Sequence, residues 1–225
     1  MLDPSNTDEV GICGCLEQFG DGSPALKLPT NRPCVLIQEA PVGYTLDDVW
    51  SWLREAHARW SAVCDWQARR VMDLSEVGNG YVQLVTVADL GGQGVLADQM
   101  LPYAGGQILR MRLNSRIRWK ATDGSMMSGT IDPVRTICHE TGHFMGHQHW
   151  PVGAPAELME PSISQRIIGP QPTEARVSSG WFGSPAVPVP PVPVPPTPPT
   201  PVPSGNELLL VSTLTPGRYK ITPTW

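Results

Sequence analysis

The sequence predicts an α+β domain followed by a proline-rich tail. Three observations support this fold class. Residues 81–87 alternate and then become continuously apolar, as an inner β-strand does. Apolar residues between Val49 and Val63 recur at helical spacing. Residues 185–203 contain eleven prolines among nineteen residues, a density that excludes a packed helix or sheet.

The amino-terminal part is expected to begin with an irregular segment and to continue into a strand and a helix. Residues 1–32 are rich in glycine, proline and polar side chains, whereas residues 35–37 are an apolar run typical of a strand. Thr45 and Asp48 have the spacing of a capping box, so we expect a helix from there to about residue 65. The tryptophans at helical spacing in this segment are predicted to be core residues.

Further strands are expected after residue 81. Residues 107–119 should supply one or two of them, with Arg110 and Arg112 alternating with apolar residues. This alternation favours the solvated face of a strand over a nucleic-acid binding surface.

Two helices are expected in the carboxy-terminal half of the domain. Asp132 and Pro133 place a helix cap and a first-turn proline in the usual order, which predicts a helix to about residue 144. A short closing helix should begin at Thr173.

An eleven-residue motif, HExxHxxGxxH, begins at His139 without a gap or a substitution. Residues four apart on a helix are turned by about 40°, so His139 and His143 project side by side and can bind one Zn²⁺. Glu140 falls next to that face, where its carboxylate can deprotonate a metal-bound water. Gly146 permits a positive φ, which turns the chain back so that His149 supplies a third ligand. The pattern predicts a zinc peptidase.

A further histidine, His147, is an alternative third ligand because it lies four residues after His143. If the helix continued past Gly146, His147 would stand about 80° around from His139 and point away from the metal. His149 is therefore preferred as the ligand, and His147 is expected to face solvent near the rim of the cleft.

These residues resemble the zinc-binding motif of the metzincin clan of metallopeptidases, and the sequence around them is also similar. Residues 157–161 resemble the Met-turn that lies beneath the zinc in that clan, with Met159 as its methionine. The chain is most similar to the matrixins, the matrix metalloproteinase-like group. Residues 94–97 resemble the matrixin edge strand that pairs with substrate, and residues 181–183 resemble the aromatic-glycine end of the last helix. The similarity covers roughly residues 33–183.

The resemblance implies a zincin-like fold: a twisted, mostly parallel sheet with an antiparallel edge strand, an active-site helix, a Met-turn and a C-terminal helix. It implies that a peptide or protein substrate lies extended along Val95, Leu96 and Ala97 and hydrogen-bonds to that strand. Glu140 would be the general base of a zinc-dependent endopeptidase. Residues 161–168 would form the wall of the pocket beyond the cleaved bond.

Several residues depart from the matrixin pattern. Trp150 directly follows the third histidine, where matrixins usually have a small residue. Matrixins often hold a structural zinc through histidines beside the substrate strand, but here Asp98 follows that strand and His57 is the one histidine outside the motif, so one catalytic zinc is expected. Arginines and a lysine in residues 110–120 replace an acidic region, which argues against a calcium site. Asp89 and Asp98 could bind calcium, but their spacing does not require it.

Composition and charge narrow the classes of partner. A chain of 225 residues that is 40% hydrophobic can bury a sizeable core. A net charge of −5 does not favour nucleic acid or an anionic membrane, and the sequence contains no apolar run long enough to span a bilayer. The amino terminus lacks the basic and apolar regions of a secretory signal peptide.

The five cysteines are an odd number, so at least one is expected to be free or to pair outside the chain. Cys138 is expected to be a small buried residue. Residues 13–15 read Cys-Gly-Cys, but their surroundings do not reproduce the Pro-Arg-Cys-Gly motif of matrixin zymogens. An ordinary surface or disulfide-bonded segment is therefore favoured over a thiol that caps the zinc.

The tail divides into a proline-rich extended linker, residues 184–205, and a hairpin-like segment, residues 206–225. Two strands alone are marginal in water, so this segment is expected to dock on its own domain, on a second copy or on a larger assembly. The alternative function is therefore a structural or adhesive component of a virion or surface assembly that displays a latent or inactive zinc domain on a proline-rich rod. An extracellular or particle-associated location is favoured over the cytoplasm.

Overall fold

The structure is a computed structural model, which describes residues 9–13, 26–91, 94–103, 106–120, 130–150, 157–164 and 167–186. The chain divides into two compact units, Met1–Val187 and Pro188–Trp225. All the described residues belong to the first unit. The predictions for residues 206–225, and for most of the linker, fall outside the described residues and stay predictions.

The first unit is α+β, as predicted. Its strands are β1 (Glu9–Cys13), β2 (Cys34–Ile37), β3 (Arg69–Val71), β4 (Val82–Ala88), β5 (Val95–Gln99), β6 (Ile108–Asn114) and β7 (Ser162–Ser164). Its α-helices, within the described ranges, are α1 (Leu46–Ser61), α2 (Pro133–Met145) and α3 (Pro172–Phe182). None of these helices is long and apolar enough to cross a bilayer.

The described strands form one sheet in the order β3-β2-β4-β6-β5-β1-β7. The pairs β3–β2, β2–β4 and β4–β6 are parallel, and β1 runs parallel to β5. The pairs β5–β6 and β1–β7 are antiparallel. The expectation of a mostly parallel sheet is thus confirmed.

Strand β1 lies in the segment that was expected to be irregular. Ile12 is in register with Val95 of β5 on one side and with Ser162 of β7 on the other. Strand β5, which was expected at the edge of the sheet, therefore has a neighbour on each side among the described residues. The composition of residues 1–32 could not show this, because strand formation there depends on partners that lie far along the chain.

Helix α1 begins as the capping box predicts. The Thr45 hydroxyl accepts a hydrogen bond from the Asp48 N–H at 3.1 Å, and the Asp48 carboxylate accepts one from the Thr45 N–H at 2.8 Å. The helix ends at Ser61, a little earlier than expected, because the N–H groups of Val63 and Cys64 both turn back to the Trp60 carbonyl. Its buried face packs against α2.

Strand β6 confirms the interpretation of the alternating arginines. Leu109, Met111 and Leu113 are buried, whereas Arg110 is exposed and Arg112 is half-exposed. The Arg112 guanidinium donates to the Asp98 carboxylate of β5 at 2.9 Å. Arg110 and Arg112 therefore lie on the solvated face of the strand.

Candidate metal centre

Helix α2 carries the histidine motif and is fixed at both ends. At its start, the Asp132 carboxylate accepts a hydrogen bond from the Val134 N–H at 2.9 Å, and Pro133 occupies the first turn. At its end, Gly146 has φ +115°, and its N–H donates to the Gly142 and His143 carbonyls. A Cβ at position 146 would lie 2.6 Å from the Leu26 carbonyl oxygen, so glycine is required by space as well as by φ.

The turn at Gly146 brings the three predicted ligands together. The Nε2 atom of His143 lies 3.1 Å from His139 Nε2 and 3.2 Å from His149 Nε2. Three nitrogens at about 2.0–2.1 Å from a tetrahedral metal would be about 3.3–3.4 Å apart. Within the described part of the chain, these three side chains are the one group of this kind that could hold a metal ion.

The other ring nitrogens of His139 and His143 face backbone carbonyls. His139 Nδ1 lies 2.6 Å from the Leu158 carbonyl oxygen, and His143 Nδ1 lies 2.7 Å from that of His147. A carbonyl can only accept, so each Nδ1 carries the proton and donates it. The Nε2 atoms are left with lone pairs directed at the centre of the group, the form in which histidine binds a metal.

The electrostatics of the group favour this neutral form. Burial lowers the pKa of His139 to about 3 and, together with the neighbouring histidines, lowers the pKa of His143 well below its usual value. Two nitrogen lone pairs that face each other at 3.1 Å repel, and a cation between them would relieve that repulsion. The residues therefore fit a divalent metal. Three imidazoles suit zinc and also copper, iron and nickel, so the donor set alone does not select the metal.

Glu140 and Met159 are both buried at the helix that carries the first two histidines. Glu140 is fully buried on α2, next in sequence to His139. Met159 is also fully buried, and a Cβ at position 142 would overlap its sulfur, so the methionine lies directly against α2. Its neighbour Leu158 supplies the carbonyl that orients His139. The catalytic role of Glu140 stays a prediction.

His147 differs from its expected position. Its side chain is only 2% exposed, instead of facing solvent, and it is not part of the metal-binding group. Its N–H donates to the Gly142 carbonyl at 2.9 Å, which reverses the chain after Gly146 and directs the imidazole towards α3. There the ring Nε2 lies 2.8 Å from Ser178 Oγ. The expectation was wrong because it treated the residue as polar surface and did not anticipate the partner on α3.

Several supporting residues were not identified from the sequence. The Trp60 indole N–H donates to the Cys138 carbonyl at 2.9 Å, immediately before the first ligand. The Glu174 carboxylate accepts from the Met159 N–H at 2.6 Å, and burial raises its pKa to about 7. Helical spacing had indicated that Trp60 is buried, but no local pattern identifies these partners. Cys138 itself is buried, as expected.

The predicted substrate-binding residues Val95, Leu96 and Ala97 lie in β5, which packs against α2. Strand β5 is therefore close to the helix that carries His139 and His143, but the side of β5 that does not face β6 pairs with β1. A role in binding substrate stays a prediction. The two acidic residues that could bind calcium, Asp89 and Asp98, form ion pairs with arginines.

Comparison with known proteins adds no assignment. A scan of the sequence against models of protein families finds no match, and a search of curated proteins finds none either. The histidine group and its surroundings are the features of the chain that bear on function.

Proposed function

We propose that the chain is a zinc-dependent endopeptidase of the metzincin type, most similar to the matrixins. The observation that carries this proposal is the convergence of His139 and His143, on the helix that also carries Glu140, with His149 from the turn after it. The Nε2 atom of His143 lies 3.1 Å and 3.2 Å from those of the other two histidines. Three histidine ligands with one position left for water are typical of catalytic rather than structural zinc.

The residues have separate roles in the proposed reaction. A peptide would lie extended along β5 and pair with its backbone in place of β1. A bound zinc would supply Lewis-acid activation of the attacking water and of the scissile carbonyl. The Glu140 carboxylate would take a proton from that water and pass it to the amide nitrogen as the carbon–nitrogen bond breaks. His139 and His143 are held in their ligand form by the Leu158 and His147 carbonyls.

The experiment that tests the proposal compares the wild type with Glu140→Ala. Metal content and cleavage of a mixed peptide library would be measured on the same samples. We expect one zinc per chain in both proteins and a loss of about 10²–10⁴-fold in cleavage rate in the variant, the usual contribution of a general base.

A matched control is Glu55→Ala, which removes an exposed carboxylate on α1 that pairs with Arg59. This variant should keep both zinc and activity. Full activity in Glu140→Ala would refute the assigned role, and a wild-type chain that binds no metal would refute the proposal as a whole.

A further inference from the structure

The backbone of His147 contacts the proposed metal ligands although its side chain does not. Its carbonyl oxygen accepts the proton of His143 Nδ1 at 2.7 Å, and its N–H donates to the Gly142 carbonyl at 2.9 Å. The carbonyl therefore selects which tautomer His143 adopts. If that carbonyl rotated away, His143 could place its proton on Nε2, the atom that must bind metal.

Helical hydrogen bonding does not hold this carbonyl in place. Helix α2 ends at Met145, and Gly146 in the left-handed region separates it from His147. The carbonyl belongs to the peptide that joins His147 to Gln148, which lies beyond that glycine and outside the helix. The orientation of the carbonyl therefore depends on the backbone conformation of His147, to which the imidazole is attached.

The imidazole of His147 is enclosed by two tryptophans, Trp60 and Trp181, and by Ser178. We call these three residues the aromatic clamp. The ring stacks on Trp60 with centroids 5.2 Å apart and planes at 25°, and it packs against Trp181 at 4.6 Å and 37°. Its Nε2 lies 2.8 Å from Ser178 Oγ. Trp60 belongs to α1 and the other two belong to α3, so the clamp joins both helices to the end of α2.

The clamp also reaches the first ligand. The Trp60 indole, which forms one face of the clamp, donates to the Cys138 carbonyl immediately before His139. Trp60 therefore contacts both the backbone beside His139 and the imidazole of His147, the residue whose carbonyl orients His143.

We propose that His147 is a positioning residue for the metal centre: the aromatic clamp holds its ring, and its carbonyl then keeps His143 in the tautomer whose Nε2 binds metal. This inference rests on the proposed metal site but not on peptide cleavage. It assigns a role to a histidine within the motif that is neither a ligand nor a catalytic residue.

The test measures zinc affinity by chelator competition in the full chain, for the wild type, His147→Ala and His147→Phe. Loss of an outer partner of a histidine ligand typically weakens metal binding by about 10–100-fold. We expect a loss of that size in His147→Ala and substantial recovery in His147→Phe, because phenylalanine can stack between the two tryptophans. The absorption spectrum of the Co²⁺-substituted protein should change in His147→Ala and stay near wild type in His147→Phe.

A second readout does not require metal. The ¹⁵N chemical shifts of His143 in the metal-free protein report its tautomer, which should be the Nδ1–H form in the wild type and a mixture in His147→Ala. If His147→Ala does not fold, Ser178→Ala and His147→Phe give the same comparison with smaller perturbations, and Ser178→Ala should then weaken zinc binding measurably. Unchanged zinc affinity together with an unchanged His143 tautomer, in whichever variants fold, would overturn the inference.

The two proposals fail in distinguishable ways. A chain that binds zinc in a clamp-dependent manner but cleaves no peptide would refute the proposed function and leave the positioning role intact. A chain that cleaves peptide, and whose zinc affinity is equal in the wild type, His147→Ala and Ser178→Ala, would refute the positioning role and leave the proposed function intact.

Discussion

Lowering the pH should destabilise the domain through His57, which is buried in a directional chain of hydrogen bonds. The Trp66 indole N–H lies 2.9 Å from His57 Nδ1, and because an indole can only donate, Nδ1 must be unprotonated. Nε2 therefore carries the proton and donates it to the Gln83 side-chain carbonyl at 3.1 Å. Gln83 in turn donates to Gln99 at 2.9 Å. A second proton on His57 would have to bind Nδ1, where it would point at the Trp66 indole N–H and find no acceptor.

The size of the effect follows from the pKa of His57, which burial lowers from 6.5 to about 4. Between these two values the unfolded chain binds a proton that the folded chain does not. The stabilisation is thus complete above pH 6.5 and is lost as the pH falls towards 4. One pKa unit corresponds to about 1.4 kcal/mol, so the free energy of unfolding should fall by about 2 kcal/mol from this residue between pH 8 and pH 5.

The assay is urea denaturation of the metal-free chain at several pH values, with the wild type compared with His57→Gln. Other buried histidines are common to both proteins, so the difference in unfolding free energy isolates His57. We expect the unfolding free energy of the wild type, relative to that of His57→Gln, to fall by about 2 kcal/mol between pH 8 and pH 5. A difference that does not change with pH, or a His57 NMR titration near pH 6.5, would refute the reasoning.

Three further predictions follow from contacts described above. Gly142→Ala should lower the unfolding free energy by about 1–3 kcal/mol, because the new Cβ would overlap the Met159 sulfur; an unchanged urea midpoint would contradict this. His149→Ala should abolish stoichiometric zinc binding while far-UV circular dichroism stays that of a folded chain, and retention of one tightly bound zinc would exclude His149 as a ligand. Ile12→Pro should raise kcat/KM for added peptides, because proline weakens the pairing of β1 with β5. The control variant Ile12→Val should leave kcat/KM unchanged. Equal values of kcat/KM in the two variants would show that β1 does not compete with substrate.

The features that could be predicted from the sequence are those set by local spacing. The capping residues Thr45 and Asp48 fix the start of α1 by contacts within one turn. The spacing of His139 and His143 places them on one face of α2, and the glycine after them provides the turn that returns His149. Each of these features depends on residues within about ten positions of one another, so the local sequence is sufficient to predict it.

The features that could not be predicted depend on partners from distant segments. The burial of His147 requires Trp60 and Trp181, which lie on two other helices. The hydrogen bond from the Met159 N–H to Glu174 joins a turn to α3. Such contacts are set by how the elements pack, and no periodicity along the chain identifies them.

Because β1 lies between β5 and β7, it limits where the domain can be truncated. A recombinant fragment starting at residue 33, where the resemblance to known peptidases begins, would lack β1. Both flanking strands would then expose unsatisfied backbone N–H and C=O groups along neighbouring edges. Exposed edges of this kind are templates for strand exchange between molecules, so such a fragment should self-associate as its concentration rises. The solubility of the folded domain would in that case depend on five residues at its amino-terminal end.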